Sequence, residues 1–571
     1  MAGKIKRPPP PPSYYIEAVK AVCHLPGRGF KCWYRRRWFY RRMLKGQLCD
    51  NLALSPNDVA PRKLDEASAL LKGRFCFGGE TVEAIGSSVF DYQPPSAAWS
   101  EELHSFAWLP PLAIAGGDAA RRLATSLIGQ WLNRYPRYCL PAYHPHILAR
   151  RLIRIFAHGR FTIANSDLMW RSQLFVSLRE QTRLLARIVA EAPDGLPRIE
   201  TAVAVALSGL CLDDVGNVRR LTLGLTRLQT EIVRQILPDG GHISRSPETL
   251  AEIYRLTVML REALNARGVE RPDFLRIAME RMAPMVRFFR HGDGSLALFN
   301  GGREVDPGTI GWLLSQEDAR GKPPVQAHHS GYHRLSAGHT LALVDCGQVP
   351  PGPFSGLAHA GCLSFELSSG AHRIVVNCGN ASGAGYRDWE DALKSSAAHS
   401  AVTLADTSSA QILSAGWLRR TLGPRLYRGP HRTLSQRGES VRGWTVSASH
   451  DAYARPFGVA VERELTLSQQ GLALTGVDRI LPMRKSRAAG FAVRFHIHPD
   501  IRLSTAENGD VLLKLPNGEG WRFRTVLPVS VEESIYFGAT SPRRCEQLVL
   551  YGDVRGAPVE ITWVFEQIGA A

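Results

Sequence analysis

The chain reads as an α+β multidomain protein, an N-terminal helical α/α toroid followed by a C-terminal antiparallel β-sandwich. Three observations predict this. At 571 residues the chain is too long for one compact core, so two large domains are the expectation. From about Trp99 to Phe289 apolar residues recur at helical spacing, with Gly or Pro between the segments. Beyond about Gln326 the spacing changes to two, and no crossover helices interrupt the strands. The expected divisions are a basic N-terminal segment over 1–95, a helical domain over 96–322 and a sandwich over 323–571.

In the helical part, Leu221, Leu225, Leu228, Ile232 and Ile236 form one stripe, ended by Pro238-Asp239-Gly240-Gly241. Ser246 is a good N-cap for the next helix, Pro247 suits its first position, and Glu248 complements its N-terminal dipole. Leu250, Ile253, Thr257, Leu260 and Leu264 make the buried face and Gly268 stops it. Phe274, Ile277, Ala278, Met282, Met285 and Phe289 repeat the pattern. Consecutive antiparallel helices of this length suggest the toroid. The longest apolar stretch, Ala202 to Leu212, is far shorter than the roughly 20 residues of a membrane span and is expected to be a core helix.

In the second part, Leu363, Phe365 and Leu367 alternate with Ser364, Glu366 and Ser368. Likewise, Phe491, Val493, Phe495 and Ile497 alternate with Ala492, Arg494, His496 and His498. Both read as half-buried strands. Asn517-Gly518 is a hairpin signal between apolar runs, and further strands are expected at Val459 to Leu467, Leu472 to Val477 and Val559 to Phe565.

A hydrophobic content of 44% and a charged content of 21% are those of an ordinary globular protein, which excludes collagen-like and low-complexity classes. The excess of 70 Lys+Arg over 52 Asp+Glu gives a formal charge of +18 and favours a polyanionic partner: acidic polysaccharide, nucleic acid or an anionic membrane surface. Part of that excess is one cluster, Arg35, Arg36, Arg37, Arg41 and Arg42, interleaved with Trp33, Tyr34, Trp38, Phe39 and Tyr40. The simplest reading is a basic amphipathic helix packed on the body, ahead of a nucleic-acid or lipid site. The ten cysteines are scattered, with no Cys-x-x-Cys pair, and most read as buried thiols. The first residues show no apolar h-region or cleavage pattern, so no conventional export signal is expected. No Walker loop, dinucleotide fingerprint or nucleophile elbow is present.

Three stretches occur in a recognisable order: Ala358-His359-Ala360-Gly361-Cys362-Leu363-Ser364-Phe365-Glu366-Leu367, then Val376-Asn377-Cys378-Gly379, then Ser395-Ser396-Ala397-Ala398-His399-Ser400-Ala401-Val402. Together they resemble the C-terminal signature of the heparinase II/III-like family. Upstream, Pro238 to Pro247 resembles the family's motif before a catalytic helix, and Glu102 to Leu109 its opening helix. The resemblance implies a toroid packed on a sandwich with an acidic glycan in the cleft between them, cut by β-elimination. That chemistry needs a neutralised uronate, a base for the proton beside it and an acid for the departing oxygen. Family members supply an Asn-His pair and a Tyr from the helices and a His from the sandwich, beside a zinc ion.

Carried over residue by residue, the zinc positions map onto His359, Asn377 and His399, where the family usually has His, Asp and His. Asn377 is a weak neutral ligand for zinc, and a hydrogen-bonded imidazole pair is the alternative. The sandwich base position is Leu357, the helical Tyr position is Thr249, and the Asn-His pair falls on Leu196 and Pro197, so the usual catalytic set is not intact. The remaining candidates are Tyr386 as proton donor in the loop Gly383-Ala384-Gly385-Tyr386-Arg387-Asp388, with Arg387 partnering a substrate carboxylate, and His242 as base with Arg245 as substrate cation. The plain alternatives are a packed loop tyrosine and a turn-stabilising pair. For His496 and His498, on one strand face with Arg494, a packed or solvated face is expected, and for Trp108, Trp131 and Trp170 a place in the core.

Two functions follow from the resemblance. One is a lyase acting by β-elimination on a uronic-acid-containing polysaccharide through a divergent active site. The other is a non-catalytic protein of the cell envelope that binds an acidic glycan. Nucleic acid is not the expected partner, and membrane-surface contact through the basic N-terminus stays open. The family implies the cell envelope or periplasm, with the cytoplasm as the alternative.

Overall fold

The computed structural model describes residues 9–23, 25–47, 49, 51–58, 64–164, 166–316, 321–382, 385–413, 416–483, 486–539 and 541–569, with the side chains of Leu25, Pro26, Arg28, Leu64 and Arg387 left out. Helices dominate as far as Pro307–Ser315, and strands follow from Gln326–Ala327 onward. The expected helical-then-strand order is what the molecule has.

At the centre of the helical layer lies Leu196–Cys211, in which every residue from Ile199 to Cys211 is buried. It packs against Pro145–Ile163, Asn217–Gln235 and Pro247–Ala266. Small residues bring it to backbone contact with Asn217–Gln235: a Cβ on Gly224 would overlap the backbone of Ala206, and one on Gly209 would overlap that of Asn217 and Leu221. The apolar run at Ala202 to Leu212 is therefore a core helix, and no described helix is long and apolar enough to cross a membrane. Helix Pro247–Ala266 begins as its capping residues dictate, with the Ser246 hydroxyl accepting from Thr249 N at 3.4 Å and Pro247 in the first turn. It ends at Gly268, whose φ of 62° suits glycine, while Val269 N reaches back to Leu264 O at 3.0 Å.

The strands form two packed antiparallel sheets. The nine-stranded one runs from Val529–Tyr536 through Arg543–Val554, Ala489–Ile497, His372–Val376, Phe365–Ser369, Thr340–Asp345 and Tyr332–Ala337 to Gln326–Ala327, with Val402–Leu404 added beside Ala489–Ile497. The eight-stranded one runs from Thr433–Ser440 through Gly443–His450, Val459–Leu467, Ala473–Pro482, Val559–Ile568, Gly520–Thr525 and Val511–Lys514 to Arg502–Thr505. The Asn517-Gly518 hairpin joins Val511–Lys514 to Gly520–Thr525 in the expected place.

The nine-stranded sheet is the middle layer. Leu341 and Leu343 belong to the helical core, whereas Ala342 and Val344 on the same strand belong to the core between the sheets. This corrects one expectation. The alternating strands at Phe365–Ser369 and Ala489–Ile497 are not half-buried, because Glu366, Ser368, Arg494 and His496 on their polar face are buried as well. That face lies beneath the connection between the helices and the sheets. Strand Val459–Leu467 of the eight-stranded sheet, by contrast, alternates strictly between buried and half-buried positions.

Because Gly224 sits against backbone rather than a side chain that could move, Gly224→Val should separate the two central helices. The expected cost is roughly 3 kcal/mol or more, read as a fall in Tm by calorimetry; an unchanged Tm would contradict the packing described.

Candidate functional site

The region where the motifs converge is the seam between the helical layer and the nine-stranded sheet. From the helical side comes the turn after Asn217–Gln235. Gly240 holds a φ of 87° there, and a Cβ on it would overlap Arg281 O. Asp239 ties the turn to the sandwich, accepting from Ser330 N at 2.6 Å and Ser330 Oγ at 2.9 Å.

His242 points back into the helical layer. Gln235 Nε2 donates to Gly195 O and Glu231, so its Oε1 faces His242 Nε2 at 2.9 Å and that nitrogen carries the proton. Nδ1 then accepts from Ser244 Oγ at 2.7 Å. Burial lowers the imidazole pKa to about 3. Both nitrogens are engaged, so the turn-stabilising alternative describes what His242 does here.

Arg245 takes a φ of 62°, unusual for a side chain with a Cβ, and engages each of its three guanidinium nitrogens inside the protein. Its Nε reaches Ser330 O at 2.8 Å and Nη1 reaches Gln348 O at 2.9 Å, while Nη2 pairs with the Asp345 carboxylate. The guanidinium lies 4.7 Å from the Tyr332 ring centroid. Burial opposes its charge, but Asp345 outweighs that and holds the pKa above the usual arginine value.

From Asp345 the network continues into the predicted metal position. Asn300 Nδ2 donates to Tyr332 Oη at 2.7 Å and to Asp345 Oδ2 at 3.3 Å, and Asn300 Oδ1 accepts from His359 N at 3.2 Å. His359 Nδ1 and His399 Nε2 are 3.1 Å apart. His399 Nδ1 donates to Ser395 O at 2.8 Å, so its Nε2 is the acceptor and His359 the donor. Burial lowers the pKa of both, that of His399 to about 4. His359 Nε2 is buried with no hydrogen-bond partner among the described residues.

Asn377 closes the predicted triad in space but not in chemistry. Its Nδ2 donates to Glu366 Oε1 at 3.1 Å and its Oδ1 accepts from Ser400 N at 3.3 Å, which leaves both ends of the amide in use. Among the described residues, no group of three His, Cys, Asp or Glu is placed to hold a metal ion. Two imidazoles and a committed neutral amide do not fit zinc, which asks for a carboxylate or thiolate to complete the set. They fit a hydrogen-bonded imidazole pair.

The other candidates stand apart from this network. Tyr386 is half-buried just before helix Arg387–Lys394 and meets the Phe537 ring edge-on at 5.5 Å, in a cluster with Cys378, Leu393 and Ala398. Gly383, Ala384 and the Arg387 side chain lie outside the described residues. Thr249 is buried in its helix's first turn, Leu196 and Pro197 open the central helix, and Leu357 is 41% exposed at the seam's mouth. His496 is packed, bonding Ser534 Oγ at 2.8 Å and Ala397 O at 3.0 Å. Trp108 and Trp131 are core residues and Trp170 is partly buried against that core.

Sequence reasoning missed a second buried cluster. Glu366 Oε2 meets His291 Nε2 at 3.0 Å, Glu366 Oε1 accepts from Leu298 N at 3.0 Å, and Arg373 Nε reaches Asp293 at 2.7 Å. A charged residue inside the apolar run Leu363 to Leu367 was the available signal.

It also missed the orientation of the N-terminal helices α1 (Pro12–Cys23), α2 (Leu25–Arg36) and α3 (Trp38–Arg42). Tyr40 is buried in the helical core with Tyr34 packed against it, Arg35 and Arg41 turn to the body, and Arg36, Arg37 and Arg42 stay exposed. Arg35 grips Glu191 at 2.6 and 2.9 Å, Arg41 grips Glu180 at 2.9 and 3.0 Å, and Arg179, Arg183 and Arg187, one per turn of Leu168–Ile188, donate to the carbonyls of Gly46, Lys45 and Met43. Large apolar side chains face outward, with Trp38 71% and Phe30 65% exposed beside Trp33, Ile16, Val19 and Met43. The cluster does pack on the body, through Tyr40 and the Arg35 and Arg41 ion pairs, and leaves several large rings outside.

A helical layer, a sheet sandwich and signature residues gathered on their seam define a class of protein that the comparisons identify. A profile described as "Heparinase II/III-like, C-terminal" matches residues 319–564. The crystal structure of heparinase III superposes over 98% of this chain and 92% of its own, with a TM-score of 0.69 at 14% identity. That of a heparan sulfate lyase HepC mutant from Pedobacter heparinus does so over 96% and 90%, with a TM-score of 0.58 at 13% identity. The chain belongs to the heparinase II/III-like family and has its toroid-plus-sandwich fold. Within the curated proteins it is 32% identical over 538 residues, 91% of either chain, to FtsZ-localized protein C of Caulobacter vibrioides (strain NA1000 / CB15N).

The buried imidazoles of the seam, with His496 and with His450 at the end of strand Gly443–His450, lead to a pH prediction. His242, His399, His450 and His496 are neutral in the folded state, burial having lowered each pKa to about 3 or 4. In the unfolded chain they protonate near pH 6.5, so the unfolded state binds more protons below that pH and stability falls as pH drops from about 6.5 toward 4. Between pH 7.5 and 5.5 each should cost about 1 kcal/mol, together lowering Tm by roughly 5–10 °C. A flat Tm across that range in scanning calorimetry would mean these rings are solvated.

Proposed function

We propose that this chain is a non-catalytic member of the heparinase II/III-like family that works as an adaptor on an anionic membrane surface, on the cytoplasmic side and in company with FtsZ. The observation that carries the reading is the outward apolar face of the N-terminal helices. Trp33, Trp38 and Phe30 lie exposed among Arg36, Arg37 and Arg42, and the Arg37 guanidinium sits 4.3 Å from the Trp33 ring centroid. Aromatic side chains with interspersed arginines suit the headgroup region, where rings bury beside acyl chains and each cation gains roughly 1 kcal/mol from anionic lipid. The FtsZ association rests on the relative named for it.

The lyase reading lacks its chemistry in this chain. The base position is Leu357, His242 has both nitrogens engaged, and Arg245 is neutralised by Asp345. No titratable group in the seam is both unengaged and solvent-facing among the described residues that the family resemblance singled out.

Two measurements test this. The full chain should pellet with phosphatidylglycerol vesicles and not with phosphatidylcholine vesicles, and less so as salt rises. Trp33→Ser with Trp38→Ser should weaken pelleting at least about tenfold, as expected from losing two interfacial aromatics, with Tm unchanged. Equal pelleting with neutral lipid, or none at all, would sink the membrane reading. Incubated with a panel of uronic-acid polymers, the chain should produce no ultraviolet-absorbing unsaturated uronate. A signal that Tyr386→Phe abolishes would restore lyase chemistry.

A further inference from the structure

The N-terminal helices touch both halves of the molecule. We infer that they form a strap which, on docking to a membrane, clamps the sandwich loop that carries Leu357 and His359 and so couples lipid contact to the seam. The inference rests on the membrane reading above and names a consequence of it inside the protein.

The toroid end of the strap is strongly held, by the Arg35–Glu191 and Arg41–Glu180 pairs and the three arginines of helix Leu168–Ile188. The sandwich end is lighter. Tyr14 Oη donates to Leu426 O at 2.9 Å, Glu17 pairs with Arg425 at 2.6 Å, and the Tyr15 ring rests 6.2 Å from that of Trp417. Glu17 is well exposed in that pair, and solvent screens such an ion pair so that it holds weakly.

What the sandwich end touches gives it a reach. Leu426 O accepts from Tyr14 and also lies 3.3 Å from Ser355 Oγ. Ser355 follows the short turn Gly352–Phe354, whose Phe354 ring packs on His242 at 6.4 Å and under the Arg234 guanidinium at 5.2 Å. The same loop is pinned from the other side by Lys394, whose Nζ donates to Gly356 O at 2.6 Å and Pro424 O at 3.2 Å. Leu357 comes next, and then His359 of the imidazole pair. A few contacts thus connect α1 to the mouth of the seam.

The two faces of α1 can be satisfied together. Tyr14, Glu17 and the fully buried Ala18 face the sandwich, whereas Ile16, Val19 and Val22 are exposed, as are Phe30, Trp33 and Trp38 of α2 and α3. Lipid contact on the outer face therefore leaves the inner contacts intact and removes the freedom of α1 to detach. The weak sandwich end becomes a held one, and the loop from 349 to 360 loses its excursions.

The test is amide hydrogen exchange of the full chain with and without phosphatidylglycerol vesicles, run beside the pelleting assay on the same samples. The expected result is slowed exchange, by about tenfold or more, in segments 349–360 and 417–427 on vesicle binding, although neither segment lies on the lipid-facing side. A Tyr14→Phe, Glu17→Arg variant should still pellet, because α2 and α3 keep their anchors, but should lose the slowing in those segments. Pelleting without any slowing in the parent chain would overturn the clamp and leave the membrane reading standing. No pelleting would overturn both. Slowing that persists in the variant would assign the effect to something other than the strap.

Discussion

The seam is held by one buried charge. Arg245 projects from a backbone conformation that side chains disfavour by roughly 1 kcal/mol, and keeps it because its guanidinium reaches Ser330 O, Gln348 O, the Asp345 carboxylate and the Tyr332 face at once. Gly347 and Gly331 make room for it, since a Cβ on Gly347 would collide with the guanidinium and one on Gly331 with Gly347. Through Asn300 the same carboxylate reaches the backbone of His359. Removing either partner would leave the other charge buried and unpaired, which typically costs 3–5 kcal/mol. The two layers keep their relation because this pair is inside.

That architecture also explains why the middle sheet has a polar outer face. A sheet covered on both sides by apolar cores would read as continuous apolar strands. Here the connection from 289 to 306 crosses the sheet as irregular backbone, whose amides and carbonyls need partners. Glu366 accepts from Leu298 N, Arg373 donates to Leu296 O, and Asn380 donates to Gly301 O. Glu366, Ser368 and Arg373 thus face that crossing, whereas Arg494 and His496 find partners elsewhere, His496 at Ser534 and Ala397.

What was legible in the sequence follows from this. Helical periodicity, the Ser246 cap, the Gly268 stop and the Asn517-Gly518 turn are local signals, and each element stands where its residues place it. The resemblance located His359 and His399, which do meet. Burial of the polar strand faces was not legible, because alternation is the same whether the polar side meets water or a second domain. The roles of Arg245 and His242 were equally hidden: their partners, Asp345 and Gln235, lie 100 and 7 residues away, and only the fold brings them within bonding distance. The resemblance could suggest cations and bases at these positions but not whether the protein itself would occupy them.

The N-terminal helices present the inverse case. Composition alone showed arginines alternating with aromatics, and folding physics would bury the rings and expose the charges. The protein does so only in part: Tyr40 and Leu44 join the helical core, but Arg35 and Arg41 turn inward to Glu191 and Glu180 while Phe30, Trp33 and Trp38 stay outside. Docking through those ion pairs is specific and leaves the outer rings unused. An arrangement that keeps large rings in water at this density sacrifices burial the chain could otherwise gain, roughly 1.5–3 kcal/mol for each large side chain. It is economical only if another surface covers those rings, and the arginines retained among them, Arg36, Arg37 and Arg42, give that surface its sign.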